Sequence, residues 1–62
     1  MQYIIFSDST RRNVLTVERR PRKNLYRMTV GGWFAGAFSN TSDTAALEHF
    51  RRVMEAEGVN VC

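Results

Sequence analysis

Gly31-Gly32 stands between two runs of strand-forming residues, Leu25 to Val30 and Trp33 to Phe38, and this arrangement constrains the fold more than anything else in the chain. Two glycines accept the positive φ angles that a two-residue hairpin turn demands, and the β-branched and aromatic flanks suit a pleated, half-buried surface. Once such a turn is fixed, so is the register. Val30 pairs with Trp33, Thr29 with Phe34, Met28 with Ala35, Arg27 with Gly36, Tyr26 with Ala37 and Leu25 with Phe38. Strict alternation then places Tyr26, Met28, Val30, Trp33, Ala35 and Ala37 on one face. Small Ala35 and Ala37 beside large apolar neighbours suit the close approach of a helix, so this face is expected to be the core. The opposite face carries Leu25, Arg27, Phe34 and Phe38.

The remaining segments fit around that hairpin. Tyr3 to Phe6 is a short apolar run closed by Ser7-Asp8-Ser9-Thr10, whose side chains readily hydrogen-bond their own backbone in turns. Asn13 to Arg19 forms a second β-branched run, ended by the polar break Arg20-Pro21-Arg22-Lys23-Asn24, where proline removes a backbone donor. Ser39-Asn40-Thr41-Ser42 offers several N-caps, Asp43 puts negative charge at the positive end of a helix, and Gly58 provides a left-handed stop. The spacing predicts a helix over 43–57. Its apolar stripe is Ala46, Leu47, Phe50, Val53 and Met54, with Glu48, Arg51, Arg52 and Glu55 opposite at ion-pair distances. Val59-Asn60-Val61 alternates, and a last short strand and a frayed tail both fit it. Gly36 reads as a bulge or a close-contact position. The expected fold class is α+β: an antiparallel sheet of about four strands in the order β-β-β-β-α, with one amphipathic helix on one face, in a single domain spanning 1–62.

A chain of 62 residues buries only about 60% of its unfolded surface on folding, so stability is narrow. A hydrophobic fraction of 44% nonetheless argues for a packed core rather than disorder. The single cysteine, Cys62, excludes an internal disulfide and a thiolate zinc cluster, and points to a reducing, cytoplasmic setting. No basic region precedes Tyr3 to Phe6 and no small-residue cleavage site follows it, so no secretion signal is expected. Nor does any apolar run approach the roughly 20 residues of a membrane helix.

Charge supplies the functional lead. Arg11, Arg12, Arg19, Arg20, Arg22, Lys23 and Arg27 against Glu18 give this stretch +6 (seven cations, one anion). Asp8, Asp43, Glu48, Glu55 and Glu57 against Arg51 and Arg52 leave the rest at −3 (two cations, five anions). Eight of the nine basic residues are arginine, the side chain suited to forked recognition of phosphate or carboxylate; solubility alone is as well met by lysine. A solvated, aggregation-resistant sheet edge is the plain alternative. Arg27 ringed by Phe34 and Phe38 combines a cation with an aromatic platform, which serves protein hot spots and single-stranded nucleic acid alike. Burial of Leu25, Phe34 and Phe38 beneath the N-terminal strand, the C-terminal tail or a second subunit stands equally open.

Catalysis is not expected. His49 is the only histidine, at the edge of the helix stripe, and no serine or cysteine appears in a nucleophile setting. Asp8 and Asp43 read as turn and helix-start residues. No ligand spacing for a metal is present, and no cofactor is implied.

The layout resembles those of two families. Over residues 1 to about 54, Met1-Gln2-Tyr3-Ile4, the hairpin ending in Gly36-Ala37-Phe38, and Asp43-Thr44 before Leu47-Glu48-His49-Phe50 resemble the architecture of small phage-encoded anti-CRISPR proteins that act on type I systems. That resemblance implies a non-enzymatic protein that jams a host nucleoprotein complex by binding it, with no transferable residue roles. Residues 17–54 resemble AP2/integrase-arm DNA-binding domains through Val17-Glu18-Arg19-Arg20-Pro21, Gly36-Ala37-Phe38 and Ala45-Ala46. This second resemblance implies a sheet in the major groove, with DNA contacts at Arg19, Arg20 and Arg27. The tryptophan and second arginine of that family's middle strand are replaced by Leu25, Tyr26 and Met28.

The leading expectation is a small inhibitor of phage or mobile-element type, acting in the host cytoplasm. It would block a host protein or nucleoprotein complex through Arg19, Arg20, Arg22, Lys23, Arg27, Phe34 and Phe38, with Arg11 and Arg12 as secondary basic residues. The alternatives are a DNA- or RNA-binding regulator using an Arg-rich sheet edge and a structural subunit that forms a homodimer.

Overall fold

The computed structural model describes residues 1–59, and the Asn60-Val61 part of the expected last strand lies outside them. Four antiparallel strands, β1 (Gln2–Ser7), β2 (Val14–Glu18), β3 (Asn24–Val30) and β4 (Trp33–Asn40), form one sheet in chain order, followed by the helix α1 (Asp43–Ala56). The α+β class and the element order agree with the sequence reading. Val59 is not in a strand.

Helix α1 begins where the chain offers the most capping chemistry. The Asn40 side-chain oxygen accepts from the Thr41 and Ser42 backbone N–H groups at 2.7 and 3.2 Å, turning the chain out of β4. Ser42 is the N-cap, its Oγ accepting the Ala45 N–H at 3.3 Å. At the other end Gly58 takes φ +78°. Its N–H donates to the Glu55 carbonyl at 3.0 Å, while the Val59 N–H reaches the Met54 carbonyl at 2.9 Å. These two bonds make a Schellman stop.

The core lies between α1 and one face of the sheet. Leu15 and Val17 from β2, Tyr26, Met28 and Val30 from β3, and Ala46, Phe50 and Met54 from α1 are buried together. Each large apolar side chain removed from water there contributes about 1.5–3 kcal/mol. Phe6 meets Phe50 edge-on with ring centroids 5.6 Å apart, so β1 also reaches the helix. Leu47 and Val53 pack at the margin, which completes the expected stripe. The expected ion pairs on the opposite helix face do not form. The salt bridges among the described residues join Arg19 to Asp43 and Arg20 to Glu18.

The hairpin holds the main departure from expectation. Val30 pairs with Trp33 and Thr29 with Phe34, as the Gly31-Gly32 turn dictates, but Met28 then pairs with Gly36, Arg27 with Ala37 and Tyr26 with Phe38. Ala35 is the extra residue of a β-bulge. Gly36, at φ +126°, supplies the backbone freedom beside it, and a Cβ there would lie 3.5 Å from the Met28 Cε. One inserted residue reverses the alternation of everything beyond it. Phe38 therefore moves to the helix side, and Ala37 to the opposite side. Trp33 keeps its predicted pairing with Val30 but lies at the sheet's end, where it stays 80% exposed rather than entering the core.

Candidate docking surface

α1 covers one face of the sheet; no described element covers the other. On that open face the cross-strand partners form three rows: Ser7, Val14, Thr29 and Phe34; Ile4, Thr16, Arg27 and Ala37; Gln2, Glu18, Leu25 and Ser39. Among these twelve positions (three rows of four) there is one cation, Arg27, and one carboxylate, Glu18. The face is close to neutral even though the chain carries +3. Phe34 is 68% exposed and Ile4 66% exposed. The two stand on the outer strands β1 and β4, in adjacent rows, with Thr16, Arg27, Val14 and Thr29 on the strands between them.

Phe38 is not part of this surface. Its ring stacks on buried Tyr26 at 5.3 Å and meets the His49 imidazole edge-on at 4.4 Å, partly buried under α1. The pair expected to flank Arg27 is split between the two faces by the Ala35 bulge.

The basic segment is also divided. Arg11 and Arg12 lie in the β1–β2 loop, beside the β3–β4 turn: the Gly32 N–H donates to the Arg12 carbonyl at 2.9 Å. Arg19, Arg20, Arg22 and Lys23 lie at the opposite end, and Arg27 lies mid-sheet on the open face. Two of the four end-loop cations are already engaged. The Arg19 guanidinium donates from both Nη atoms to the two Asp43 carboxylate oxygens at 2.8 Å each, and the Arg20 Nε donates to Glu18 at 2.8 Å. Arg19, nominated for DNA contact, thus holds the start of α1 to the end of β2.

Asp43 gathers a network that the sequence did not announce. The Tyr26 hydroxyl donates to its Oδ1 at 2.6 Å, and the Asn24 side-chain amide donates to that hydroxyl at 3.2 Å. The Arg19 fork, and then the Tyr26 hydroxyl, lower the Asp43 pKa to about 2. Burial, followed by donation to Asp43, raises the Tyr26 pKa. Glu18 is held below its ordinary value, chiefly by Arg20 and to a lesser degree by Arg27.

At the other end of the sheet Asn13 is the buried polar residue. Its Oδ1 accepts the Gly31 N–H at 2.9 Å, and its amide donates to Asp8, which also accepts from Thr10 at 2.8 Å. These bonds lower the Asp8 pKa, with Asn13 the leading cause. Asn13 joins the β1–β2 loop to the β3–β4 turn and so sets where Arg11, Arg12 and Trp33 stand. Its position at the mouth of a strand marks a turn residue but gives no sign of this long-range partner.

Arg20, Pro21, Arg22 and Lys23 line an open groove together with Ser39, whose position on the open face joins the groove to that surface. Arg22 and Lys23 make no hydrogen bond or ion pair with any other described side chain. No cluster of three or more potential metal ligands occurs, and no helix is long and apolar enough to cross a membrane, among the described residues. Comparison with protein-family models, with curated proteins and with solved structures returns no match for this chain.

Proposed function

We propose that this chain is a non-enzymatic binding protein, an inhibitor of the phage or mobile-element type, that docks on a host protein or nucleoprotein complex and blocks it sterically. The reading rests on one observation: the exposed Phe34 ring, on a nearly neutral sheet face that no described element covers. An exposed aromatic ring on a nearly neutral face favours a protein partner, because aromatic anchors supply much of the energy of protein interfaces. A phosphate backbone gains little from twelve positions with one cation and one carboxylate, which weighs against groove readout by this sheet. Its place of action is the cytoplasm of the host cell.

The test is affinity capture from host lysate with the wild-type chain and with Phe34→Ala, each with and without nuclease. Capture of a defined complex by the wild type and its loss with Phe34→Ala, at unchanged melting temperature, is the expected result. Capture that survives Phe34→Ala contradicts the reading. A DNA- or RNA-binding regulator is the second reading, favoured by unengaged Arg22 and Lys23; it requires that nuclease abolish capture altogether.

A further inference from the structure

We infer that the β2–β3 loop is a phosphate-backbone site, which grips the nucleic-acid component of a nucleoprotein while the open face meets its protein. This rests on the docking function just proposed, and it assigns the basic loop a task separate from that of Phe34. Four observations carry it. Arg22 and Lys23 are exposed and uncommitted among the described residues, whereas Arg19 and Arg20 at the same end each hold a carboxylate. The two free cations line one groove with the exposed Ser39, and no carboxylate lines it. Glu18, the one carboxylate among the twelve open-face positions, is bound by Arg20, and the four cations Arg19, Arg20, Arg22 and Lys23 outnumber Glu18 and Asp43 at this end, which leaves it net positive. Finally, Ser39 belongs to the same row of the open face as Glu18 and Leu25, so a strand seated in the groove borders the docking surface.

An acidic protein segment is the competing occupant, and the groove suits it less. Pro21 is its one apolar residue, so it offers no pocket to anchor a peptide side chain, and rim charges alone bind protein weakly. Phosphodiester backbones need no such pocket, because their binding is driven by counterion release.

The test measures fluorescence anisotropy of a labelled oligothymidylate of about 20 nucleotides against the full chain. Two phosphate contacts on a single strand, at about 0.7 in logarithmic slope each, predict affinity about sevenfold weaker as salt rises from about 50 to about 200 mM. The double variant Arg22→Ala/Lys23→Ala should bind about tenfold more weakly and lose that salt dependence, while Lys23→Arg should bind like the wild type. Phe34→Ala, at the far end of the sheet, should leave oligonucleotide affinity unchanged, so a failure of the docking face and a failure of the loop register separately. No binding at low salt, equal affinity of the double variant, or equal affinity for polyglutamate would each overturn the inference.

Discussion

Asp43 illustrates how much one side chain can hold. In the sequence it reads as a carboxylate in the first turn of a helix, which it is; what it also does is bind Arg19 and Tyr26 from two different strands. Neither partner is legible from spacing, because the contacts form only when α1 folds back over the sheet. Since folding lowers this pKa from 3.8 to about 2, the stabilisation is complete above the unfolded value and is lost as pH falls through about 2. With the carboxylate more than a third exposed, solvent reduces its contribution to about 1 kcal/mol. Asp43→Asn should lower stability by that amount at neutral pH and remove that part of the acid-induced loss, as thermal unfolding from about pH 6 to about pH 2 would show. Asn13→Ala has a different signature: it withdraws the main donor to Asp8 and removes the acceptor of the Gly31 N–H, and that one lost bond is expected to cost about 0.5–1.5 kcal/mol in urea titration across neutral pH.

The strands and the helix are largely legible in the sequence, and the departure that most changes the surface is a single step in β4. Gly31-Gly32 gave the turn and its first two pairs, and Ala46, Phe50 and Met54 gave the buried side of α1, because both follow from local periodicity. Gly36 signalled a bulge or close contact, but not on which side of it the extra residue falls. Ala35 is that residue, and its insertion sends Phe34 and Phe38 to opposite faces. The two phenylalanines should therefore behave differently on truncation. Phe38→Ala removes a ring packed on Tyr26 and His49 and should cost about 2–4 kcal/mol, less than a fully enclosed site at the upper end of the usual range. Phe34→Ala should stay within about 0.5 kcal/mol of wild type, as an exposed position does. Gly36→Ala forces a side chain into φ +126° and should cost about 1–3 kcal/mol by denaturant titration.

Across the whole molecule the charge asymmetry of the sequence is real, yet an antiparallel meander distributes neighbours in sequence to opposite ends in space. Arg11 and Arg12 stand by the β3–β4 turn, Arg22 and Lys23 stand at the far end, and the sheet face between them is nearly neutral. Arg19 and Arg20 are spent on intramolecular pairs, which the sequence could not reveal because their carboxylates were equally plausible as solvated surface groups. What remains is a small fold with an open, nearly neutral sheet face, an aromatic corner at Phe34 and a basic groove along its far rim. The claim that this open face is where the partner sits is tested most directly at its centre, by Thr16→Arg. Thr16 lies between Ile4 and Arg27 in the middle row. The measurement is the amount of complex captured from host lysate by this variant relative to wild type, with the melting temperature followed in parallel. The account predicts capture reduced at least about tenfold at an unchanged melting temperature, because a new buried charge at an interface centre has no partner. Full capture by Thr16→Arg would contradict it.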